Sequence, residues 1–297
     1  MRLIIVSGLS GSGKSVALHV LEDLGYFCID NMPVALLESL IEEVTRTREQ
    51  SGSRVAVGVD ARNRKDDLQS LPELIDELRS RDVQTDLLFL QASDEILLKR
   101  YRETRRRHPL AADGGELRAA IARERELLGQ IINAADLIID TSRKSVYELA
   151  EIVQERVDRR QTSMLSVLIE SFGFKHGIPA DADFVFDLRC LPNPYWQADL
   201  RALTGKDLAV QAFLESQPAF REMHDDILGF LSRWIPQYVS FDRSYLTIAI
   251  GCTGGQHRSV YMAEKLGREL ARLHSPVLTR HNEIPASFQS ADADAEA

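Results

Sequence analysis

Apolar and polar positions follow two repeating patterns over roughly the first 160 residues. Short apolar runs alternate with longer stretches in which apolar residues recur every three or four positions. The short runs predict strands covered on both faces, and the longer stretches predict amphipathic helices, so the pattern indicates a parallel sheet flanked by helices. The predicted strands are 3–6, 26–29, 54–59, 86–90 and 137–139, and the predicted helices are 16–24, 34–47, 71–80, 95–102 and 146–156.

The polar segment VDRRQTS at 157–163 interrupts these patterns and is the predicted linker. A second α/β pattern follows it, with predicted strands at 164–172, 183–187 and 245–250 and predicted helices at 208–215, 220–235 and 259–273. After Pro285 the chain is small, acidic and without periodicity, which predicts a disordered tail. We therefore expect two α/β domains, at 1–158 and 163–285, and a tail at 286–297.

Composition narrows the class of protein. The chain has 297 residues, of which 44% are hydrophobic and 27% charged, as in soluble globular proteins. Its 36 basic and 45 acidic side chains give a net charge of -9, so any contact with RNA needs a local basic patch. Three scattered cysteines favour neither a disulfide framework nor a structural zinc site. We expect a cytoplasmic protein with no signal peptide and no membrane contact.

A phosphate-binding loop follows the first predicted strand. The match to GxxxxGK[ST] consists of Gly8, Leu9, Ser10, Gly11, Ser12, Gly13, Lys14 and Ser15, and an amphipathic helix follows it, as the motif requires. The glycines let backbone N–H groups turn toward phosphate oxygens. Lys14 is predicted to reach the β- and γ-phosphates of ATP or GTP, and Ser15 to bind Mg²⁺, so these two are the candidate catalytic residues. A chance glycine-rich turn is the alternative.

A second acid is needed to hold the magnesium through water, and two strand ends offer one. Asp60 follows the strand at 54–59 and is the preferred candidate, because Arg62 and Asn63 stand beside it. Asp30 follows the strand at 26–29, and either Asp can instead be a turn residue or a helix cap. The cationic run at 102–108, RETRRRH, is a candidate lid over the phosphates or a solvated helix face.

A second strand–glycine loop–helix pattern occurs near the C-terminus. Its loop is predicted to bind a phosphate or a phosphosugar through Cys252, Thr253, Gly254, Gly255, His257 and Arg258. His176 and Asp187, with Lys175 and Arg189, follow two other predicted strands and are expected at the same pocket. The spacing from Cys252 to Arg258 also occurs in cysteine phosphatases, and ordinary tight packing of the loop is a third possibility.

The chain resembles the RapZ family of P-loop nucleotide-binding proteins, also called the RNase adapter family, in six segments that occur in order: GLSGSGKS, IDNMP, DARN, ESFGFKHGIP, DLRCLPNP and GCTGGQHRS. The resemblance implies an ATP site at the P-loop, a GTP-related site at Asp60, Ala61, Arg62 and Asn63, and ATPase and GTPase activity. It also implies a phosphofructokinase-like second domain. In some members that domain binds glucosamine-6-phosphate and a small RNA and presents the RNA to an endoribonuclease. Such members are homo-oligomers.

The chain departs from the RNA-binding members in one respect: those members tend to end in a basic segment, whereas this sequence ends in acidic residues. The candidate RNA contacts are Lys265, Arg268, Arg272 and Arg280, next to His281. The first three recur at helical spacing, and a solvated helix face is the alternative. The leading hypothesis is a regulatory protein that binds and slowly hydrolyses nucleotide; a P-loop small-molecule kinase is the alternative, and a cysteine phosphatase is a third class.

Overall fold

A computed structural model of the chain describes residues 1–47, 54–104, 106–111, 116–158, 164–241 and 243–284. Arg105 of the cationic run, most of the predicted linker and the predicted tail lie outside the described residues. The chain forms two compact units, Met1–Thr162 and Ser163–Ala297. Among the described residues, no helix is long and apolar enough to cross a membrane.

The described residues of the first unit form a five-stranded sheet in which every pairing is parallel. The strands are β1 (Arg2–Gly8), β2 (Phe27–Ile29), β3 (Arg54–Gly58), β4 (Gln84–Gln91) and β5 (Leu137–Asp140), in the spatial order β2-β3-β1-β4-β5. Four consecutive residues of β1, Leu3 to Val6, are 0% exposed, which explains why this strand reads as an unbroken apolar run. The predicted α/β class is confirmed.

The described part of this unit contains seven α-helices: α1 (Lys14–Asp23), α2 (Leu37–Thr47), α3 (Lys65–Ser80), α4 (Asp94–Thr104), α5 (Leu117–Leu127), α6 (Gly129–Ala134) and α7 (Val146–Ile152). A 3₁₀ turn at Val34–Leu36 precedes α2, and a π-helical segment at Val153–Asp158 follows α7. The sequence patterns did not predict α5 and α6. Ser145 opens α7 with a capping box, since its Oγ accepts from the Glu148 amide at 3.2 Å while the Glu148 carboxylate accepts from the Ser145 amide.

The second unit contains a four-stranded parallel sheet with three α-helices among the described residues. Its strands are β6 (Ser166–Gly173), β7 (Phe184–Asp187), β8 (Tyr245–Cys252) and β9 (Val277–His281), in the order β7-β8-β6-β9, and its helices are α8 (Leu208–Glu215), α9 (Pro218–Ser240) and α10 (Arg258–Leu270). The central strands β6 and β8 are buried along their whole length. The likeness of this unit to phosphofructokinase stays a prediction.

The edge strand β9 was not predicted, and its presence changes where one candidate RNA contact lies. Arg280 belongs to β9, where it pairs in register with Glu170 of β6. The helix α10 ends at Leu270, so Arg272 lies beyond it. The expectation that Lys265, Arg268 and Arg272 share one helical face is therefore wrong for Arg272.

Candidate functional site

The loop between β1 and α1 has the backbone of a phosphate cradle. Gly8 has φ +141, and a Cβ on it would lie 2.1 Å from the carbonyl oxygen of Leu90 in the neighbouring strand β4. Gly13 has φ +108 and its built Cβ would meet Leu149 at 2.8 Å. Both positions have a positive φ and lie too close to neighbouring atoms for a side chain to fit. Only glycine therefore allows the turn that brings the start of α1 to the end of β1.

Lys14 lies at the first position of α1 and bends back over the loop. Its Nζ donates to the carbonyl oxygens of Gly8 at 2.6 Å and Leu9 at 3.2 Å. Burial lowers the pKa of Lys14 below its ordinary value, and the nearby carboxylates of Glu124, Asp60 and Asp30 partly oppose that shift. The ammonium group is thus already seated at the mouth of the loop, held by carbonyls that phosphate oxygens can replace.

A buried carboxylate supports the loop from the other side. Glu124 of α5 is 0% exposed and accepts from the Ser10 amide at 2.9 Å and from the Ser10 hydroxyl at 2.6 Å. The Nε2 of His108 faces the same carboxylate at 3.1 Å. Although burial opposes it, these hydrogen bonds from His108 and Ser10 lower the pKa of Glu124 below its ordinary value. The end of the cationic run is therefore joined to the P-loop through a carboxylate.

A cleft of about 690 Å³ opens over the loop. Among the described residues that line it are six cationic side chains and two anionic ones, a balance of +4 in a chain whose net charge is -9. The cationic residues are Lys14, Arg62, Arg100, Arg106, Arg107 and Lys144, and the anionic ones are Asp30 and Asp60. Low-dielectric walls with one sign of charge concentrate the field, so this cleft attracts a polyanion.

The structure brings Asp60 and Arg62 to the P-loop, because β3 pairs with β1 and both strands end at the same edge. Asp60 is buried and accepts from the Arg62 amide at 3.0 Å, from its Nε at 2.9 Å and from its Nη2 at 2.5 Å. These bonds hold the pKa of Asp60 below its ordinary value although burial opposes them. Arg62 also donates to the side chain of Asn31.

Ala61 and Asn63, the other two predicted GTP contacts, do not line the cleft. Ala61 is 4% exposed and packs in the hydrophobic core. The side chain of Asn63 accepts from the Val34 amide at 2.8 Å and donates to the Met32 carbonyl at 3.2 Å, which fixes the chain before α2. In this structure both residues shape the strand end rather than present groups to the cleft.

The donor set at the loop fits a magnesium ion that is delivered with phosphates. No cluster of three or more His, Cys, Asp or Glu residues suited to a metal occurs among the described positions. Mg²⁺ commonly needs only one or two protein oxygens when phosphates and water supply the rest, and Ser15 and Asp60 both line the cleft. Ser12 also lines it, and its fully buried Oγ has no hydrogen-bond partner within the described residues. A buried hydroxyl of this kind suits an incoming oxygen.

In the second glycine loop, between β8 and α10, the side chains of Arg258 and His257 bind backbone carbonyl oxygens of the protein. Arg258 is 3% exposed, and its Nη1 donates to the carbonyl oxygens of Leu188 at 3.2 Å, Arg189 at 3.2 Å and Leu191 at 2.8 Å. His257 is buried and its Nε2 lies 3.2 Å from the Leu200 carbonyl oxygen. Both side chains thereby fasten the segment 188–200 to the loop.

Cys252 lies at the base of this second loop in a polar setting. Its Sγ accepts from the Gly255 amide at 3.3 Å and lies 3.1 Å from the Ser259 hydroxyl. Burial raises the pKa of the thiol, but the hydrogen bonds from Ser259 and Gly255 and the charge of Arg258 outweigh it, so the pKa of Cys252 is lowered. The loop is therefore arranged to hold negative charge at its base.

The other predicted phosphosugar contacts surround the loop at different depths. Thr253 is exposed, and its carbonyl oxygen accepts from the Lys175 amide at 3.2 Å. Gly254 packs against Gly173, whose built Cβ would lie 2.7 Å away. His176 is exposed on a 3₁₀ turn after β6, and Asp187 at the end of β7 is paired with Arg189 at 2.7 Å, which lowers the pKa of Asp187.

The four predicted RNA contacts do not form one patch of unpaired cations. The Lys265 ammonium group lies 2.7 Å from the Glu215 carboxylate, and an Arg268 nitrogen lies 3.8 Å from Glu264. Arg272 lines a separate pocket with Leu273 and His274. Together with Arg280 on β9, these side chains are distributed over a helix, a turn and an edge strand.

Comparison with known proteins identifies the family. The model of the RapZ-like N-terminal domain matches residues 1–161, and the model of the RapZ C-terminal domain matches residues 165–285. The chain belongs to the RapZ family. The resemblance found in six short segments of this RapZ-family sequence is thus confirmed over both units.

Relatives of this RapZ-family chain match nearly its whole length. A nucleotide-binding protein of Halorhodospira halophila is 54% identical over 284 residues, which are 96% of this chain and 99% of that protein. A nucleotide-binding protein of Pseudomonas fluorescens is 50% identical over 96% of this chain and its own whole length. The match to the solved shikimate kinase of Bacteroides thetaiotaomicron covers 52% of this chain and 94% of that one, at 16% identity and a TM-score of 0.33.

Sequence patterns missed several residues at the RapZ-family cleft. Arg100 of α4 donates to the Gly11 carbonyl at 3.0 Å and to the Thr141 carbonyl at 2.6 Å, and the Thr141 hydroxyl donates to the Ser12 carbonyl at 2.8 Å. Lys144 lines the cleft near them. With Glu124, these residues come from α4, α5 and the loop after β5, so no local motif connects them.

Proposed function

We propose that the first unit binds ATP or GTP with Mg²⁺ and hydrolyses it slowly. The observation that carries the proposal is the +4 balance of a cleft over a glycine loop in a chain of net charge -9. A nucleoside triphosphate is a polyanion that matches this field, and the loop amides and Lys14 provide charge-assisted hydrogen bonds to it. The relatives named as nucleotide-binding proteins support the same proposal.

ATP and GTP compete for one cleft in this proposal. The P-loop and the two charged members of the DARN segment, Asp60 and Arg62, are walls of the same cavity. A separate GTP site at 60–63 would need a second opening, but Ala61 packs in the hydrophobic core and the Asn63 side chain accepts from the Val34 amide. One nucleotide per chain is therefore the expected stoichiometry, with the P-loop holding the phosphates of either base.

Magnesium has a defined place in the proposed complex. Ser15 would hold the ion, and Asp60 would reach it through water. A carboxylate has about four lone-pair positions, and Arg62 uses three on Asp60, so one is left for a metal-bound water. When bound, the ion supplies electrostatic stabilisation of the charge that develops on the phosphates.

Titration of the full-length protein with a fluorescent nucleotide tests the first unit. We expect one nucleotide per chain, Mg²⁺-dependent binding, and complete displacement of bound ATP by GTP and of bound GTP by ATP. Two independent binding events would contradict the single cleft. No binding of either nucleotide would contradict the proposed function itself.

For the second unit we propose a sensor of a phosphosugar such as glucosamine-6-phosphate that also works as an RNase adapter for a small RNA and an endoribonuclease. The family membership supports this role, as does a loop that stabilises negative charge at Cys252 and exposes Thr253. A cytoplasmic homo-oligomer is the assembly expected of such a regulator. A shift in melting temperature with glucosamine-6-phosphate, absent with glucosamine, tests the sensor; equal shifts would contradict it.

A P-loop small-molecule kinase is a second candidate function. Asp30 and Arg62 favour it, because they line the cleft beside the P-loop and offer polar groups to an acceptor. A screen of hydroxyl-bearing acceptors in which phosphoryl transfer outruns hydrolysis would support the kinase over the slow hydrolase.

A further inference from the structure

Two carboxylates line the cleft from neighbouring strand ends, Asp30 after β2 and Asp60 after β3. The negative charges of both carboxylates act to raise the pKa of Lys14 against the effect of burial. Two carboxylates at one site can take different roles when their surroundings differ, and the hydrogen bonds of each reveal the difference. The hydrogen bonds of Asp30 and Asp60 differ in this way.

Asp60 is committed as an anion. Both of its oxygens accept hydrogen bonds from Arg62, and the side chain is 5% exposed. A proton on Asp60 would break the pairing with the guanidinium group, which holds the pKa of this carboxyl below its ordinary value. Asp60 is thus suited to attract a cation and unsuited to take a proton during a reaction.

Asp30 is placed firmly but keeps one oxygen open. Its Oδ1 accepts from the Asn31 amide at 2.8 Å, and its Oδ2 has no hydrogen bond among the described residues. Asn31 has φ +54 and is held by Arg62, while a Cβ built on Gly58 would lie 2.6 Å from Asp30 Oδ1. The missing side chain at Gly58 and the fixed turn at Asn31 hold an unengaged carboxylate oxygen at the cleft wall.

We propose that Asp30 is the catalytic residue that accepts the proton of the water attacking the γ-phosphate. The water oxygen forms a bond to the γ-phosphorus, and the bond from that phosphorus to the bridging oxygen breaks. The nucleoside diphosphate leaves with the electron pair, and the water proton goes to Asp30 Oδ2. Lys14 stabilises the charge on the phosphates. The inference rests on the proposed nucleotide binding and deepens it by naming the residue that activates the nucleophile.

Asp30→Asn separates this role from nucleotide binding. A positioned proton acceptor contributes typically about 10²- to 10⁴-fold, so we expect the turnover of ATP by Asp30→Asn to fall about 100-fold. The affinity for ATP should stay the same or rise, because a negative charge beside the phosphates is removed. Asp30→Glu, which keeps the carboxylate on a longer side chain, should recover part of the turnover. Asp23→Asn is the matched control, since Asp23 is an exposed carboxylate at the end of α1 outside the cleft.

The measurements are phosphate release and nucleotide affinity on the full-length protein, with turnover in ¹⁸O-labelled water to identify the nucleophile. Label in the released phosphate, with Asp30→Asn slow and still able to bind ATP, supports the proposal. Unchanged turnover in Asp30→Asn, or a parallel loss of affinity, overturns it. If the parent protein binds ATP but does not hydrolyse it, the role of Asp30 is overturned while nucleotide binding stands. If the parent binds no nucleotide, the proposed function fails first.

Discussion

The two units use the same local pattern for different purposes. In each, a buried parallel strand ends in a glycine-rich loop that opens into a helix, β1 into α1 and β8 into α10. In the first unit Lys14 and other cations face an open cleft. In the second unit Arg258 and His257 are buried and hydrogen-bonded to carbonyl oxygens of the chain.

The difference teaches that a strand–glycine loop–helix pattern predicts backbone geometry but not what the charged side chains bind. The backbone amides at a helix N-terminus attract anions in both loops. Whether a cation beside them serves a ligand or the fold depends on how many of its donors are already used by carbonyls. Variants of the two loops should therefore fail in different ways, one losing stability and the other losing ligand.

The largest expected effect is on the support beneath the first loop. His108→Ala leaves the Glu124 carboxylate, which is 0% exposed, with Ser10 as its one remaining hydrogen-bond partner among the described residues, and it also opens a cavity. Breaking a buried pair by removing one partner costs about 3 kcal/mol or more, so the free energy of unfolding of the first unit should fall by about that amount. Hydrogen exchange of the β1 amides measures it. An unchanged exchange rate would show that the pair contributes nothing to the fold.

A built-in reference distinguishes this loss from general unfolding. Both tryptophans of the chain, Trp196 and Trp234, belong to the second unit. Their fluorescence should report the same unfolding midpoint in His108→Ala as in the parent protein. A fall in that midpoint would mean that the substitution acts beyond the first unit.

Arg258→Ala should produce the corresponding loss in the second unit. It removes the donor shared by three carbonyl oxygens of the segment 188–191. The Leu188 carbonyl keeps the Leu191 amide as a donor and Arg189 is exposed, so the buried Leu191 carbonyl is the acceptor that loses its partner, which costs about 1–3 kcal/mol. The midpoint of tryptophan fluorescence should fall, whereas the affinity of the first unit for nucleotide should not change. Arg268→Ala is the matched control, because Arg268 is 56% exposed. Equal unfolding midpoints for Arg258→Ala and Arg268→Ala would contradict the structural role of Arg258.

Lys14→Ala should behave in the opposite way and lose ligand rather than stability. Charge-assisted hydrogen bonds contribute about 1.5–3 kcal/mol, so nucleotide affinity should fall by up to about 100-fold. Because burial already lowers the pKa of Lys14, its removal should leave the stability of the unliganded unit unchanged or higher. Lys99→Ala is the control, at an exposed lysine of α4 that lies outside the cleft. Retained affinity in Lys14→Ala would contradict the phosphate role of this loop.

Short-range patterns predict the two sheets and the P-loop because those features are local. The strand β1 is buried on both faces and the glycine loop follows it directly, so adjacent residues carry the whole signal. The sequence pattern does not predict the strand β9, because only one of its five residues is buried and the others form no clear apolar face. The sequence pattern also does not predict the role of Glu124, because a carboxylate inside the charged run REREL is typical of the exposed surface of a helix. Its burial depends on Ser10 and His108, which are brought to it by the fold.

The smallest expected effect separates the cysteines of the two units. Burial raises the pKa of Cys28 in the first unit to about 11, whereas hydrogen bonds and Arg258 lower the pKa of Cys252 in the second. Cys252 therefore contributes stability that is present above the pKa of the unfolded thiol and is lost as the pH falls through its folded pKa. Cys28 contributes the reverse, present below the unfolded pKa and lost as the pH rises toward about 11.

Ultraviolet absorbance of the thiolate measures this contrast in a background that lacks the exposed Cys190. As the pH rises, the thiolate absorbance of Cys252 should appear at a lower pH than that of an ordinary thiol, whereas that of Cys28 should appear only near pH 11, so the absorbance that appears first is expected from Cys252. Cys252→Ser should abolish the absorbance, and Cys28→Ser should leave it unchanged. The reverse result would mean that the second loop does not stabilise negative charge at its base, and the anion site proposed there would lose its main physical support.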